Sequence, residues 1–138
     1  MTLPMNTWRI CLLVFIGAGA GANARFWLTA WMTHRYGVLF PWGTLTVNTL
    51  GSLLIGVFAG VFAGVEPGAH PWRLLLAVGG LGGFTTFSTF SLETVQLLRD
   101  QQWAPAIGYI LASTVISIAG CGLGVFAARA LNGTPGMP

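Results

Sequence analysis

The chain has 138 residues, 54% of them hydrophobic and 7% charged, with six arginines, no lysine and a formal net charge of +3; mean hydropathy is +0.75. Soluble domains carry about 25% charged residues, so six arginines and three acids cannot clothe a water-facing surface, and arginines this scattered exclude the clustered basic patch of a nucleic-acid binder. The length suits an all-α integral membrane protein, a single domain over residues 1–138 built from four spans of about 20 residues each.

The first span is expected over about residues 8–32. Its apolar run is too long for a signal-peptide core and contains Arg25, so it reads as a retained span. Trp27 and Trp31 mark its far end as an aromatic belt does. Thr33 to Gly37, including His34, reads as a loop. The second span is expected over about residues 44–65, followed by a turn from Glu66 to Pro71 that includes His70. The third runs over about residues 72–98 and the fourth over about 104–131, before a short Gly- and Pro-containing tail. Cys11 and Cys121 both fall in apolar stretches and read as small buried hydrophobes, not a disulfide or metal pair. Glycines recur four apart (Gly17 and Gly21; Gly56, Gly60 and Gly64; Gly79 and Gly83; Gly120 and Gly124), a spacing that lets helices approach closely.

The polar residues inside the spans fall into patterns. On the second span Asn48 and Ser52 share a face. Asn48 is expected either to bond between helices or to donate its amide to a passing anion. On the fourth, Tyr109, Ser113 and Ser117 step by four and form a hydroxyl stripe about 12 Å long. Such a stripe donates to an anion without holding it tightly, as conduction requires. On the third, Gly79, Gly80, Gly82 and Gly83 each disfavour continuous helix by about 1 kcal/mol. The helix is therefore expected to break near Gly82 to Thr85 and to resume from about Thr86. Carbonyls freed at such a break carry negative partial charge, and broken helix ends of this kind hold Na⁺ in transporters. A watery kink is the plainer alternative. Phe87 and Phe90 lie three apart on one side of the resumed helix. They read either as core packing or as ring edges, which are positive, turned toward an anion. Thr86, Ser88, Thr89 and Ser91 around them favour a polar passage. Glu93 lies about 9 Å inside the span's end. An acid there is a functional candidate by default, unless it pairs with an arginine. Arg25 stands either at a pore mouth or snorkelled to the headgroups. Nucleophile, base and metal-ligand constellations are missing, so the chain does not read as an enzyme.

Orientation carries no clear signal. Arg9, Arg73 and Arg129 lie on one side, Arg35 and Arg99 on the other, with Arg25 in the outer half of the first span. Lys/Arg asymmetry normally sets topology. Its absence fits either a single orientation fixed by another cue or two orientations that pair head to tail. An antiparallel dimer would also supply inward positions for polar residues that four short helices cannot bury alone.

The run Gly82-Gly83-Phe84-Thr85-Thr86-Phe87-Ser88-Thr89-Phe90-Ser91-Leu92-Glu93 resembles the signature of the Fluc (CrcB) fluoride channel family. Gly17 to Phe26 in the first span and Gly43 to Ser52 in the second resemble it too, and the similarity runs from about residue 10 to about 130. The resemblance implies an antiparallel, dual-topology homodimer in the bacterial inner membrane, exporting fluoride passively through two pores. It implies that Phe87 and Phe90 face the pore, that Asn48 donates near them, and that Tyr109, Ser113 and Ser117 belong to the polar track of the fourth span; Thr86 and Ser88 are expected in the pore from their hydroxyls beside the two rings. It also implies that Arg25 and Glu93 lie toward the vestibules, and that Gly82 and Thr85 offer backbone carbonyls to a structural Na⁺ at the dimer centre. Fluoride itself rests on the resemblance, since nothing in spacing or composition separates it from chloride. The alternatives are a fluoride/proton carrier using Glu93 and a small multidrug-type exporter. The exporter is disfavoured because the first span has no acid.

Overall fold

The structure, a computed structural model, describes residues 6–63 and 70–132. Gly64, most of the expected Glu66 to Pro71 turn and the C-terminal tail lie outside the described residues. The described residues form five α-helices: α1 (Thr7–Tyr36), α2 (Trp42–Val61), α3 (Gly82–Phe84), α4 (Phe87–Arg99) and α5 (Trp103–Leu131). A π-helical stretch, Arg73–Leu81, leads directly into α3. Among the described residues four segments are long and apolar enough to cross a membrane: α1, α2, the Arg73–Arg99 run and α5. Among the described residues there is no strand.

The first helix is longer than the sequence suggests. It continues through His34 and Arg35 to Tyr36, so the expected loop at 33–37 shrinks, and His34 belongs to the last helical turn. At about 1.5 Å per residue, its 30 residues exceed the thickness of the hydrocarbon layer. The excess is accommodated by tilt or by reaching into the headgroups.

The spans pair in parallel, first with third and second with fourth. Gly17 of α1 meets Leu75, Gly79 and Gly80 of the third span, and Gly21, one turn later, meets Gly80 and Phe84. Positions 56 and 60 of α2 face Cys121 and then Val125 and Ala128 of α5 in the same order. Glycine makes both seams. A Cβ on Gly21 would collide with the Gly80 carbonyl oxygen and the Phe84 nitrogen, and one on Gly56 would collide with the backbone of Cys121. With little hydrophobic drive between helices in lipid, such close backbone approach supplies the packing energy. Gly79 and Gly83 of the third span are therefore packing residues, whereas a Cβ on Gly80 or Gly82 would meet only carbonyls of its own span. Gly79 and Gly80 are π-helical, Gly82 and Gly83 α-helical, and Gly83 lies against the Ala18 backbone.

These contacts predict a contrast between two alanine variants. Gly21→Ala meets backbone that cannot yield and is expected to cost about 1–3 kcal/mol. At Gly19, where a Cβ would find nothing within 4 Å, the same change should stay within about 0.5 kcal/mol. Thermal unfolding in detergent reads both, and equal melting temperatures would remove the seam from the account.

Residues that leave the helical conformation are Thr85 (φ −80°, ψ 158°) and Thr86 (φ −152°, ψ 119°). The helical ladder ends when the Thr85 N–H donates to the Leu81 carbonyl at 3.0 Å. It restarts when Thr86 Oγ1 accepts the Thr89 N–H at 3.2 Å and caps α4, the usual role of a hydroxyl before a helix. The β-branched threonines thus occupy the extended positions, one or two residues beyond the glycines. Near this point the small core gathers Leu97, Ala106 and Tyr109 against Phe40, Leu45, Phe90 and Leu98. Neither cysteine is buried as expected: Cys11 is exposed on the outside of α1, Cys121 is only half-buried, and both are free thiols.

Candidate functional site

The extended pair opens onto a groove between α2, the third span and α5. Its volume is about 450 Å³. Asn48, Thr85, Thr86, Phe87, Phe90, Ser113 and Ser117 all contribute to its wall, and among the described residues no charged side chain does. The two phenylalanine rings stand 5.5 Å apart, centroid to centroid. Phe87 is 78% exposed in the protomer, so the groove is open on that side.

Two hydroxyls carry most of the chemical information. Ser113 Oγ and Ser117 Oγ are shielded from solvent, yet neither has a hydrogen-bond partner among the described residues. A serine in a membrane helix usually bonds back to the preceding turn. A buried polar group left unsatisfied costs about 1–3 kcal/mol. Two in succession on one face of α5, beside a cavity, form a site with unspent donors.

The Asn48 carboxamide is engaged by backbone. Nδ2 donates to the Thr86 carbonyl at 2.9 Å and Oδ1 accepts the Thr86 N–H at 2.8 Å. In a continuing helix that N–H would close onto the Gly82 carbonyl. Its diversion leaves the Gly82 oxygen without its helical donor. The Thr85 carbonyl receives a long contact, 3.5 Å, from Arg25 Nη1. Arg25 is half-buried and reaches the helix break itself. Among the described residues no cluster of His, Cys, Asp or Glu could hold a metal. Backbone oxygens at Gly82 and Thr85 are the donors a hard monovalent cation would accept. They fit that role, with the Arg25 guanidinium as a competing positive neighbour.

Tyr109 lies deeper than the stripe suggests. It is fully buried and donates to Glu93 Oε2 at 2.7 Å. Thr44 donates to Glu93 Oε1 at 2.9 Å, so hydroxyls occupy both carboxylate oxygens. Phe90 packs on Tyr109 at 5.1 Å. Phe90 lines the groove, while Glu93 lines a second cavity of about 380 Å³ with Thr33, Gln96, Asp100 and Gln102. Phe90, Tyr109 and Glu93 therefore form the partition between the two spaces. Ser88 is exposed, 3.3 Å from Thr86 Oγ1, and outside the groove wall. Sequence reasoning missed Thr44 and Thr114. Thr44 stands four residues before Asn48, so extending the Asn48–Ser52 stripe by one turn would have found it.

The family model for CrcB-like protein, Camphor Resistance (CrcB), matches residues 12–125. The chain belongs to the CrcB-like family. Curated CrcB-like relatives support the match across nearly the whole length. A protein of Chloroflexus aurantiacus is 43% identical over 117 residues, covering 82% of this chain and 93% of its own. One of Roseiflexus sp. is 44% identical over 120 residues (87% and 97%), and one of Opitutus terrae 42% over 127 (91% and 96%). Each of the three is named fluoride-specific ion channel FluC. With four membrane-length helices among the described residues, this CrcB-like chain is a multi-pass membrane protein, and its family match is to ion channels and not to enzymes.

Proposed function

We propose that this protein is a fluoride channel, passing the anion down its gradient out of the bacterial cytoplasm across the inner membrane. The observation that carries the reading is the pair of unpartnered hydroxyls of Ser113 and Ser117, residues that line a groove walled by Phe87 and Phe90 and free of charge. Fluoride is small and strongly hydrated, so a passage must replace its water with donors. Hydroxyl and amide donors with ring edges do so weakly enough to let the ion leave. A fixed cation in the wall would hold it.

The working unit is an antiparallel, dual-topology homodimer with two pores. The open side of the groove and the outward-facing Phe87 support this, as does the near-balance of arginines between the two sides. The Gly82 and Thr85 carbonyls of the two copies would hold a structural Na⁺ at the dimer centre, and such an ion would supply positive charge there. Thr86 belongs to the polar path with Ser113 and Ser117. Tyr109 and Glu93 form its exit toward the second cavity, and Arg25 biases the region toward anions.

Reconstitution into liposomes with fluoride- and chloride-selective electrodes tests the reading. Fluoride efflux without chloride efflux is expected. The fluoride current should reverse at the fluoride equilibrium potential under any proton gradient. Reversal that follows the proton gradient would replace the channel with a proton-coupled carrier. The double variant Ser113→Ala, Ser117→Ala should lower flux about tenfold, the loss expected for about 1.4 kcal/mol of ion stabilisation. Its melting temperature should not fall, because the hydroxyls it removes have no protein partner. A lower melting temperature with unchanged flux would assign the serines to packing.

A further inference from the structure

A side-chain amide that pairs with both the N–H and the C=O of one extended residue does what a neighbouring β-strand would do. Asn48 does this for Thr86 across two spans, at 2.8 and 2.9 Å. The orientation of its amide is fixed, because only Oδ1 can accept the Thr86 N–H and only Nδ2 can donate to the Thr86 carbonyl. Within a span the groups freed by an interrupted backbone must find protein partners or line a watery cavity. Thr86 has one such partner for each of its backbone groups, and both are on Asn48. Its own hydroxyl is already committed to Thr89, bonding the Thr89 hydroxyl at 3.0 Å as well as its N–H.

We propose that Asn48 is a positioning residue that acts through Thr86. By pairing with the Thr86 backbone it holds the third span open at that residue, keeps the Thr86 N–H away from the Gly82 carbonyl, and sets the place of Phe87, the next residue. Only one Nδ2 hydrogen is left over for the groove. The proposal deepens the fluoride-pathway reading and rests on it for its functional consequence, but the clamp is measurable without any ion flux.

Amide-resolved hydrogen exchange on the full chain in lipid nanodiscs is the test, with flux measured alongside. In the wild type the Thr86 amide should exchange slowly although it belongs to no helix. In Asn48→Ala it should exchange faster by about tenfold or more, while amides in the middle of α5 keep their rates, and fluoride flux should fall. Asn48→Asp is the companion variant, because it is isosteric and retains the acceptor for the N–H while presenting an oxygen to the Thr86 carbonyl. It should weaken protection at Thr86 even if the alanine variant fails to assemble. Unchanged Thr86 exchange in the aspartate variant, with flux lost, would overturn the proposal and make Asn48 a direct anion donor. A uniform rise in exchange along α4 and α5 would also overturn it, by reducing Asn48 to a general packing residue. Faster Thr86 exchange in a protein whose wild type passes no fluoride would keep the clamp and remove the fluoride reading.

Discussion

Phe87→Ile and Phe90→Ile are expected to cut fluoride flux by about tenfold or more each, while the protein still assembles. The physical ground is the ring quadrupole: a phenyl edge is positive and an isoleucine methyl is not. A ring-edge contact worth about 1.4 kcal/mol to the ion in a dry passage corresponds to a tenfold change in rate. The two variants differ in their cost to the fold. Phe87 is largely exposed and its ring's recorded aromatic neighbour is Phe90, so truncation removes little packing within the protomer. Phe90 also packs on Tyr109 at 5.1 Å, at the partition between the two cavities, and its loss should lower the melting temperature as well. Liposome efflux and thermal unfolding separate the two effects. If Phe87→Ile conducts at the wild-type rate, the outward ring is not part of the path.

Adding two or three lysines to the loops on one side should abolish activity when that copy is the sole one expressed. Co-expression with a copy biased the other way should restore it. The six arginines divide almost evenly between the two sides, and near-even charge leaves both insertions accessible. Lysines in short loops are strong topogenic signals, so the biased chain would insert one way and lack an inverted partner to close its groove. Accessibility labelling of loop positions gives the orientation and fluoride efflux gives the activity. Full activity from a single biased copy would count against antiparallel pairing and leave the open groove facing lipid or another partner.

Composition alone decided that this chain lives in a membrane, and apolar run length decided that it crosses four times. Those are one-dimensional properties: hydropathy and the reach of a helix need no tertiary contact. Spacing also put Ser113 and Ser117 on one face, because a four-residue step is nearly one turn. Three things were decided only in three dimensions. The glycine run from Gly79 to Gly83 looks like the weak point of the third span, yet α1 presses against it. Close backbone packing holds Gly79, Gly80 and Gly83 against α1 in a helical run, and the extended geometry moves to Thr85 and Thr86. Tyr109 steps in register with the serines but turns to Glu93, because a buried phenol needs an acceptor and the carboxylate lies one helix away. Asn48 spends its amide on Thr86 backbone, a partner 38 positions later in the chain. A sequence shows which groups must find hydrogen-bond partners in hydrocarbon; which partner each one finds depends on helices that only packing brings side by side.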